Sequence, residues 1–191
     1  GSEKRKLNLE NEEKFLGKGL SYCYICDSPF YKDKIVGIIG GSYSAVRAAL
    51  LLIEYAKRVY IIYKGDKLRG DPLENDYVLK NKKVEFIKNA NIKKLNGEKF
   101  LAGVVLDNNK EIKLDGLFIE IGSVPSTALA KELGVKVNEN GYIIIDENQE
   151  TNIKGVFAAG DTTNTKTKQI IVAASEGAIA ATNVFYQIKE D

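Results

Sequence analysis

Two cysteines separated by two residues are the first feature of this sequence that could carry chemistry. Cys23 and Cys26 are the only cysteines among the 191 residues, and Asp27 follows them directly. Two intervening residues let one helical turn bring both sulfur atoms within bonding distance. A pair of this kind, just ahead of a strand, predicts a reversible dithiol.

Two other uses of the cysteines stay open at this point. A structural zinc site needs about four ligands, usually Cys or His, and the chain has no histidine and no third cysteine. A purely structural disulfide is typical of small secreted domains, whereas this chain shows no signal peptide and is long enough to bury its own core. The residues therefore favour redox chemistry.

Composition and charge narrow the classes of partner. The 28 basic and 26 acidic residues nearly cancel, to a net charge of +2. No basic block and no interleaving of aromatic and basic residues appears that would suggest a nucleic-acid surface, so we expect no nucleic-acid partner. The longest apolar runs are far shorter than the about 20 residues of a membrane span, so we expect no membrane partner and a soluble, cytoplasmic protein.

The elements that must position the dithiol are best defined after residue 34. Residues 1–18 are polar and predict a connector. The apolar run Ile35–Ile39 predicts a strand, Ala45–Ala56 a helix with Ser44 as its N-cap, and Arg58–Tyr63 a second strand. Unbroken apolar strands on either side of a helix are typical of a βαβ unit whose parallel strands are buried on both faces.

The rest of the chain predicts further short elements of an α/β protein. Turn signals and apolar runs predict a helix over 71–81, strands over 84–87 and 115–122, a type I′ hairpin turn at Asn96–Gly97 and a second hairpin at 107–109. Beyond Pro125 they predict strands over 142–146 and 156–159 and a long apolar helix over 169–186. The predicted fold is a Rossmann-like parallel sheet with a β-hairpin or meander insert.

Five motifs, in this order along the chain, resemble those of the low-molecular-weight thioredoxin reductases. They are Ser21-Tyr-Cys-x-x-Cys-Asp27, the glycine turn at 40–45, Asp115-Gly-Leu-Phe-Ile-x-Ile-Gly122-x-x-Pro125, Gly155-Val-Phe-Ala-Ala-Gly-Asp161, and Lys168-Gln169 ahead of an Ala-Ala-x-Glu-Gly helix. The resemblance extends over essentially the whole chain.

The resemblance implies two dinucleotide-binding domains, with the flavin domain split around a central domain. Residues 8–122 would be the central nicotinamide-domain-like Rossmann domain that carries the dithiol. Residues 1–7 and 123–191 would be the linker and the C-terminal part of the FAD-binding Rossmann-like domain. The opening half of that flavin domain is absent, so we expect a preceding segment with the glycine fingerprint that holds the FAD pyrophosphate.

Residue roles follow from the same resemblance. Cys26 would face the flavin, Cys23 would attack the thioredoxin partner, and Asp27 would act as the nearby acid; a second copy of the chain would complete a homodimer. The residues implied in FAD binding are Gly160, Asp161, Lys168, Gln169 and Ile170. Simpler roles stay open, since Asp27 suits the first turn of a helix, Asp161 suits an N-cap, and the last helix suits plain core packing.

The glycine turn departs from the pattern that a dinucleotide requires. The second glycine of Gly-x-Gly-x-x-Gly lets the backbone approach the pyrophosphate, and Ser42 stands there. Gly65 replaces an arginine of the family's 2′-phosphate signature, a loss of about 1.5–3 kcal/mol or about 10- to 100-fold in affinity. No acid follows the strand ending at Tyr63 to bind an NAD ribose. The degenerate nucleotide site comprises Gly40, Gly41, Ser42, Ala45, Lys64 and Arg69.

These replacements make NADPH a doubtful cofactor. Some flavoproteins that resemble thioredoxin reductase lack the nucleotide motifs and take electrons from ferredoxin. The sequence is similar to these, so we expect ferredoxin as the electron donor. The alternatives are an NADPH-dependent thioredoxin reductase with a relaxed site and an inactive isolated fragment.

Overall fold

A computed structural model describes residues 1–190, which form two compact units. One unit is Arg5–Gly122, and the other joins Gly1–Lys4 to the chain from Ser123 onward. The roles predicted for these two parts, a nicotinamide-like domain and part of a flavin domain, remain predictions. Within residues 1–190, no helix combines the length and the apolar character needed to cross a membrane.

Strands and helices follow one another along most of the chain. The strands are β1 (Ser2–Lys4), β2 (Leu20–Ser21), β3 (Ile35–Ile39), β4 (Arg58–Tyr63), β5 (Val84–Lys88), β6 (Ile92–Gly97), β7 (Leu101–Leu106), β8 (Glu111–Lys113), β9 (Gly116–Ile119) and β10 (Ser123–Pro125). The α-helices are α1 (Glu12–Phe15), α2 (Tyr24–Asp27), α3 (Tyr43–Tyr55), α4 (Pro72–Lys80), α5 (Ala128–Glu132) and α6 (Ile170–Glu190).

The larger unit is built on a five-stranded parallel sheet. Its strand order is β2-β9-β3-β4-β5. Ile35 of β3 lies opposite Arg58 of β4, and Val36 lies opposite Gly116 of β9. The predicted βαβ unit and the α/β fold class are therefore confirmed. Because β3 and β4 are covered on both faces, their sequences are continuous apolar runs rather than alternating ones.

Three layers enclose two hydrophobic cores, one on each face of the parallel sheet. On one face, Val36 and Ile38 pack with the buried side of α3 and with Val78 of α4. On the other face, Ile39 and Ile62 pack against the antiparallel sheet β6-β7-β8. The predicted meander insert is confirmed, and it forms the third layer.

Most remaining predicted elements of this unit are confirmed with small shifts. α4 begins after Asp71, whose carboxylate caps it by accepting from the Leu73 amide at 2.9 Å. The 107–109 turn joins β7 to β8, with Asn109 in the left-handed region at φ 65°. β9 ends at Ile119, three residues before the predicted end of the strand.

Residues 1–18 are not the simple connector that the sequence predicts. β1 pairs antiparallel with β10, and α1 follows within the larger unit. The side chain of Phe15 belongs to the core, and Glu12 is also buried. One buried ring and one buried carboxylate in a polar stretch leave no periodic pattern, so composition could not reveal them.

Two predicted local signals are misplaced. The N-cap of α3 is Ser42 and not Ser44, which lies in the first turn. Asn96–Gly97 does not form the hairpin turn, because both residues lie in β6 and the loop is 98–100. A shift in the pairing register between Asn96 and Gly97 continues the ladder past the expected turn.

The two strands predicted after residue 125 do not form. Ile143 makes only isolated bridges, because the amides of Ile143 and Ile144 donate to different segments, at Thr162 and Lys136. Residues 156–159 are half-buried, and Phe157 makes one bridge to the chain nearby. The predicted long helix is confirmed as α6 and begins at Ile170.

Phe118 belongs to the helix-side core, the hydrophobic core between the parallel sheet and α3, and allows a test of its stability. Its side chain is fully buried and meets the Tyr31 ring edge-on, with centroids 5.2 Å apart. We expect Phe118→Ala to lower the free energy of unfolding by about 3–5 kcal/mol, because it leaves a cavity and removes an aromatic contact. Urea denaturation followed by circular dichroism measures this. The control Phe100→Ala, at a ring 59% exposed, should change the value by less than about 0.5 kcal/mol.

Candidate active site

The dithiol lies where the edge strand β2 ends and the short helix α2 begins. Cys23 is the N-cap of α2 and is joined to Cys26 by a disulfide, with the two Cα atoms 5.3 Å apart. Cys26 is exposed and Cys23 is half-buried. The predicted pairing of the two cysteines is thus confirmed, and the bond is open to a reacting partner from solvent.

Backbone hydrogen bonds fold the Cys-x-x-Cys segment into its turn. The Asp27 amide donates to the Cys23 carbonyl at 3.1 Å, and the Cys26 amide donates to the Cys23 sulfur at 3.2 Å. Ser28 is fully buried, and its hydroxyl donates to the Tyr24 carbonyl at 2.6 Å. The segment therefore keeps its geometry through contacts on both sides of the sulfur atoms.

Ser21 is a polar residue of this site to which the sequence analysis assigned no role. It is buried at the end of β2, and its hydroxyl donates to the Asp27 carboxylate at 2.6 Å. The same oxygen accepts from the Cys23 amide at 3.0 Å. The sequence feature that could have indicated this role is its position two residues before Cys23 in the motif Ser21-Tyr-Cys-x-x-Cys-Asp27.

Glu12 is a second polar anchor that sequence analysis missed. Its buried carboxylate accepts from the Leu7 amide at 3.0 Å and from the hydroxyl of Tyr22, the residue before Cys23. Burial, and then the hydrogen bond to Glu12, raises the pKa of Tyr22 above its ordinary value. Ten residues separate the two partners, so no local pattern in the sequence indicates this pair.

The degenerate glycine turn lies between β3 and α3, as expected for a Rossmann-like unit. Gly40 has φ 138°, and a Cβ atom there would collide with the Glu120 carbonyl. Ala45 is fully buried in the helix-side core. Ser42 is half-buried, and its hydroxyl lies 3.3 Å from the Ser44 hydroxyl.

The ring of Tyr63 occupies the space over this turn. A Cβ atom placed on Gly41 would collide with the Tyr63 ring, and one placed on Gly65 would lie 2.6 Å from a carbon of the same ring. The Arg69 guanidinium lies over the same ring, 5.6 Å from its centroid. The Arg69 amide also donates to the Gly41 carbonyl at 2.7 Å.

The ring of Tyr63 and the side chain of Arg69 therefore lie beside the turn that a Rossmann fold uses for a pyrophosphate. Gly41 gives room to the Tyr63 ring, and Ser42 stands at the position of the second glycine, where the backbone of a Rossmann turn approaches the phosphate. Lys64 is exposed, and the guanidinium of Arg69 lies over the Tyr63 ring. Of the two basic residues that remain from the phosphate signature, only Lys64 is outside this cluster.

The predicted flavin residues lie together in the smaller unit. The Gly160 amide donates to the buried Glu176 carboxylate of α6 at 2.6 Å. Thr163 is fully buried, and its hydroxyl donates to the Gly160 carbonyl at 2.9 Å. Asp161 is half-buried, and no hydrogen bond to its carboxylate is recorded among residues 1–190. Glu176 is a further residue that sequence analysis noted only within a motif.

Lys168 points into its own loop. Its ammonium donates to the Thr163 carbonyl at 2.6 Å and lies 4.6 Å from the centroid of the Tyr142 ring. Burial lowers the pKa of Lys168, against the opposing charge of Asp161. The backbone carbonyl of Gln169 accepts the first helical hydrogen bond of α6, from the Ala173 amide at 3.0 Å. Ile170 and much of the helix beyond it are exposed, so core packing within this unit does not account for α6.

Comparison with known proteins identifies the family of this chain. Residues 1–177 match the model of the pyridine nucleotide-disulphide oxidoreductases. The chain belongs to this family. The disulfide between Cys23 and Cys26 agrees with the disulphide chemistry that the family name states.

Several relatives of this chain are thioredoxin reductases. The chain is 37% identical to thioredoxin reductase of Listeria monocytogenes, over its whole length and 61% of the relative. The crystal structure of thioredoxin reductase from Streptococcus pyogenes superposes with a TM-score of 0.91 at 31% identity, over 100% of this chain and 64% of that one. The protein is therefore thioredoxin reductase-like.

A second solved structure bears on the electron donor. The ferredoxin-flavin thioredoxin reductase from Clostridium acetobutylicum is 31% identical with a TM-score of 0.55, over 99% of this chain and 61% of that one. The chain spans about three fifths of the length of the curated relatives it matches.

Tyr22 provides a pH-dependent test of the site in this pyridine nucleotide-disulphide oxidoreductase. Glu12→Gln should lower the pKa of Tyr22 only part-way to its ordinary value, because burial is the larger cause and remains. Ultraviolet absorbance of the phenolate measures the titration, and Tyr22→Phe identifies which transition belongs to Tyr22. An unchanged titration in Glu12→Gln would contradict the assigned partner.

The sign of the linked stability change follows from the same pKa. The folded chain holds the Tyr22 proton more tightly than the unfolded chain. Its stabilising contribution is complete below about pH 10 and is lost as the pH rises through the folded-state pKa.

Proposed function

We propose that this protein is a flavin-dependent thioredoxin reductase that passes two electrons from FAD through the Cys23–Cys26 dithiol to thioredoxin. The observation that carries the proposal is the solvent-accessible disulfide between these residues, in a chain whose residues 1–177 match a disulfide oxidoreductase family. The thioredoxin reductases among its relatives support thioredoxin as the acceptor.

The electrons and protons of the transfer balance through the two sulfur atoms. The Cys23–Cys26 bond takes up two electrons and two protons and opens to two thiols. One thiolate attacks the thioredoxin disulfide, which forms a mixed disulfide and releases one thioredoxin thiol. The other cysteine then attacks the mixed bond, which releases the second thiol and forms Cys23–Cys26 again. Asp27 carries a proton for these steps.

The smaller unit would hold part of the flavin. A flavin bound there would supply the two electrons. The free carboxylate of Asp161 suits ribityl hydroxyls, and the open first turn of α6, from Ile170, presents backbone amides. Gly160, Lys168 and Gln169 shape the loop between them. A preceding segment, as in the longer relatives, would complete the site, and a cytoplasmic homodimer is the proposed assembly.

The proposed electron donor is ferredoxin and not NADPH. Support comes from Tyr63, whose ring fills the space over Gly41 and Gly65, and from the loss of the phosphate-binding arginine at position 65. A solved ferredoxin-flavin thioredoxin reductase among the structural neighbours also supports it. A domain in which the Tyr63 ring occupies this space would carry the dithiol and would not bind a nucleotide.

The division of labour between the cysteines is open to a trapping experiment. The proposed role gives the attack on thioredoxin to Cys23, although Cys26 is the more exposed of the two. We expect the Cys26→Ser chain to form a stable mixed disulfide with thioredoxin, because its resolving thiol is gone, and Cys23→Ser to form little or none. Non-reducing electrophoresis and mass spectrometry measure the adduct.

The outcome of this trap discriminates clearly. An adduct formed only by Cys23→Ser would reverse the two roles, and no adduct with either variant would count against thioredoxin as the acceptor. The Cys23→Ser/Cys26→Ser chain is the matched control, because it contains no cysteine at all.

The donor assignment predicts very weak nucleotide binding by the chain itself. Calorimetric titration with NADPH should give a Kd weaker than about 1 mM. Tyr63→Ala/Gly65→Arg removes the ring and restores a guanidinium, so it should bind NADPH at least about 10-fold more tightly. The control Tyr77→Ala, at an exposed tyrosine on α4, should gain nothing.

A wild-type Kd of about 0.1 mM or tighter would return the protein to the NADPH-dependent class. The companion measurement uses the flavoprotein that includes the complete flavin domain. Under anaerobic conditions, reduced ferredoxin should bleach its flavin rapidly and NADPH should not.

A further inference from the structure

The hydroxyl of Ser21 links the two ends of the redox turn, which comprises residues 23–27. Its backbone is held in the parallel sheet, where Ser21 lies opposite Phe118 of β9, and its side chain is 4% exposed. From this fixed position the hydroxyl reaches the amide of Cys23 and the carboxylate of Asp27. A single buried serine therefore contacts the residues at both ends of the Cys-x-x-Cys-Asp sequence.

The hydrogen-bonding capacity of a serine hydroxyl is well used by these contacts. A hydroxyl has one proton to donate and two lone pairs that accept. The proton goes to Asp27 at 2.6 Å, a charge-assisted bond to a carboxylate, and a lone pair accepts from the Cys23 amide at 3.0 Å. The Cys23 carbonyl, at 3.4 Å, is a poorer acceptor for the same proton.

Neither contact involves a sulfur atom. Opening the Cys23–Cys26 bond removes the covalent link across the turn, but neither hydrogen bond to Ser21 uses an atom of that link. Among residues 1–190, Ser21 is also the one recorded hydrogen-bond donor to the Asp27 carboxylate. Without the Ser21 hydroxyl, the Asp27 carboxylate would lose the hydrogen bond that orients it, in the disulfide state and in the dithiol state alike.

We infer that Ser21 is the positioning residue of the dithiol, holding the Asp27 carboxylate and the Cys23 amide in place in both the disulfide and the dithiol state. It acts through Asp27 and does not itself react. This inference rests on the proposed redox function for the use of Asp27, but its tests need neither flavin nor thioredoxin.

The first test follows the thiols of the reduced chain. The rate of alkylation by iodoacetamide is measured against pH for the wild type, Ser21→Ala and Ser21→Thr. A carboxylate held beside the turn disfavours a second negative charge on sulfur. In Ser21→Ala the Asp27 carboxylate is no longer held there. We therefore expect the midpoint of the alkylation rate against pH to fall by about half a pH unit or more. Ser21→Thr keeps the hydroxyl and should retain the wild-type midpoint.

A double-substitution cycle shows whether the effect passes through Asp27. Asp27→Asn should itself shift the midpoint, and adding Ser21→Ala in that background should shift it little further. Equal midpoints in the wild type and a folded Ser21→Ala chain would overturn the inference, as would fully additive shifts. If these shifts are observed but the wild-type flavoprotein with its complete flavin domain does not reduce thioredoxin, only the proposed function is contradicted.

A second measurement on the wild-type chain covers the case in which Ser21→Ala does not fold. Amide hydrogen exchange at Cys23 is compared in the disulfide and the dithiol states by NMR. We expect protection to differ by less than about threefold, because the amide keeps its acceptor when the disulfide opens. An increase in exchange rate of more than about 10-fold on reduction would overturn the inference.

Discussion

The pairing of β9 with two neighbours is the interaction on which the rest of the larger unit depends. Gly116–Ile119 lies between β2 and β3, although the strand that precedes it in sequence, β8, belongs to the meander. β2 is only two residues long, and β9 is its one partner strand in the sheet order. The position of Ser21, and of the dithiol that follows it, therefore relies on contacts with a strand about a hundred residues later.

The redox turn combines a reactive bond with a rigid support. The disulfide is accessible at Cys26, whereas Ser21 and Ser28 on either side are buried and hydrogen-bonded. Glu12 adds a third buried polar contact through Tyr22. Buried polar groups of this kind are stable only when they are paired, so the network favours a single local geometry around a bond that must open and close.

The glycine turn shows which residues of a dinucleotide motif the fold itself requires. Gly40 is still required by its backbone conformation and by the nearby Glu120 carbonyl, and Ala45 is still required by the core. Gly41 serves a different purpose, since it makes room for the ring of Tyr63. The α/β packing thus depends on Gly40 and Ala45 of the dinucleotide motif, whereas Gly41 lies beside a tyrosine ring.

The sequence alone determined the βαβ unit, the meander and the cysteine pair, because each depends on local apolar runs or on short spacing. The misplaced turn at Asn96–Gly97 and the absent strands after Pro125 show where local signals lose to long-range pairing. Glu12, Ser21 and Tyr63 acquired their roles only in the tertiary structure. Tyr22, Asp27 and Gly41 are partners of these residues that lie 10, 6 and 22 positions away in the sequence. Burial, which decides what a polar group must bond to, is a property of the folded chain.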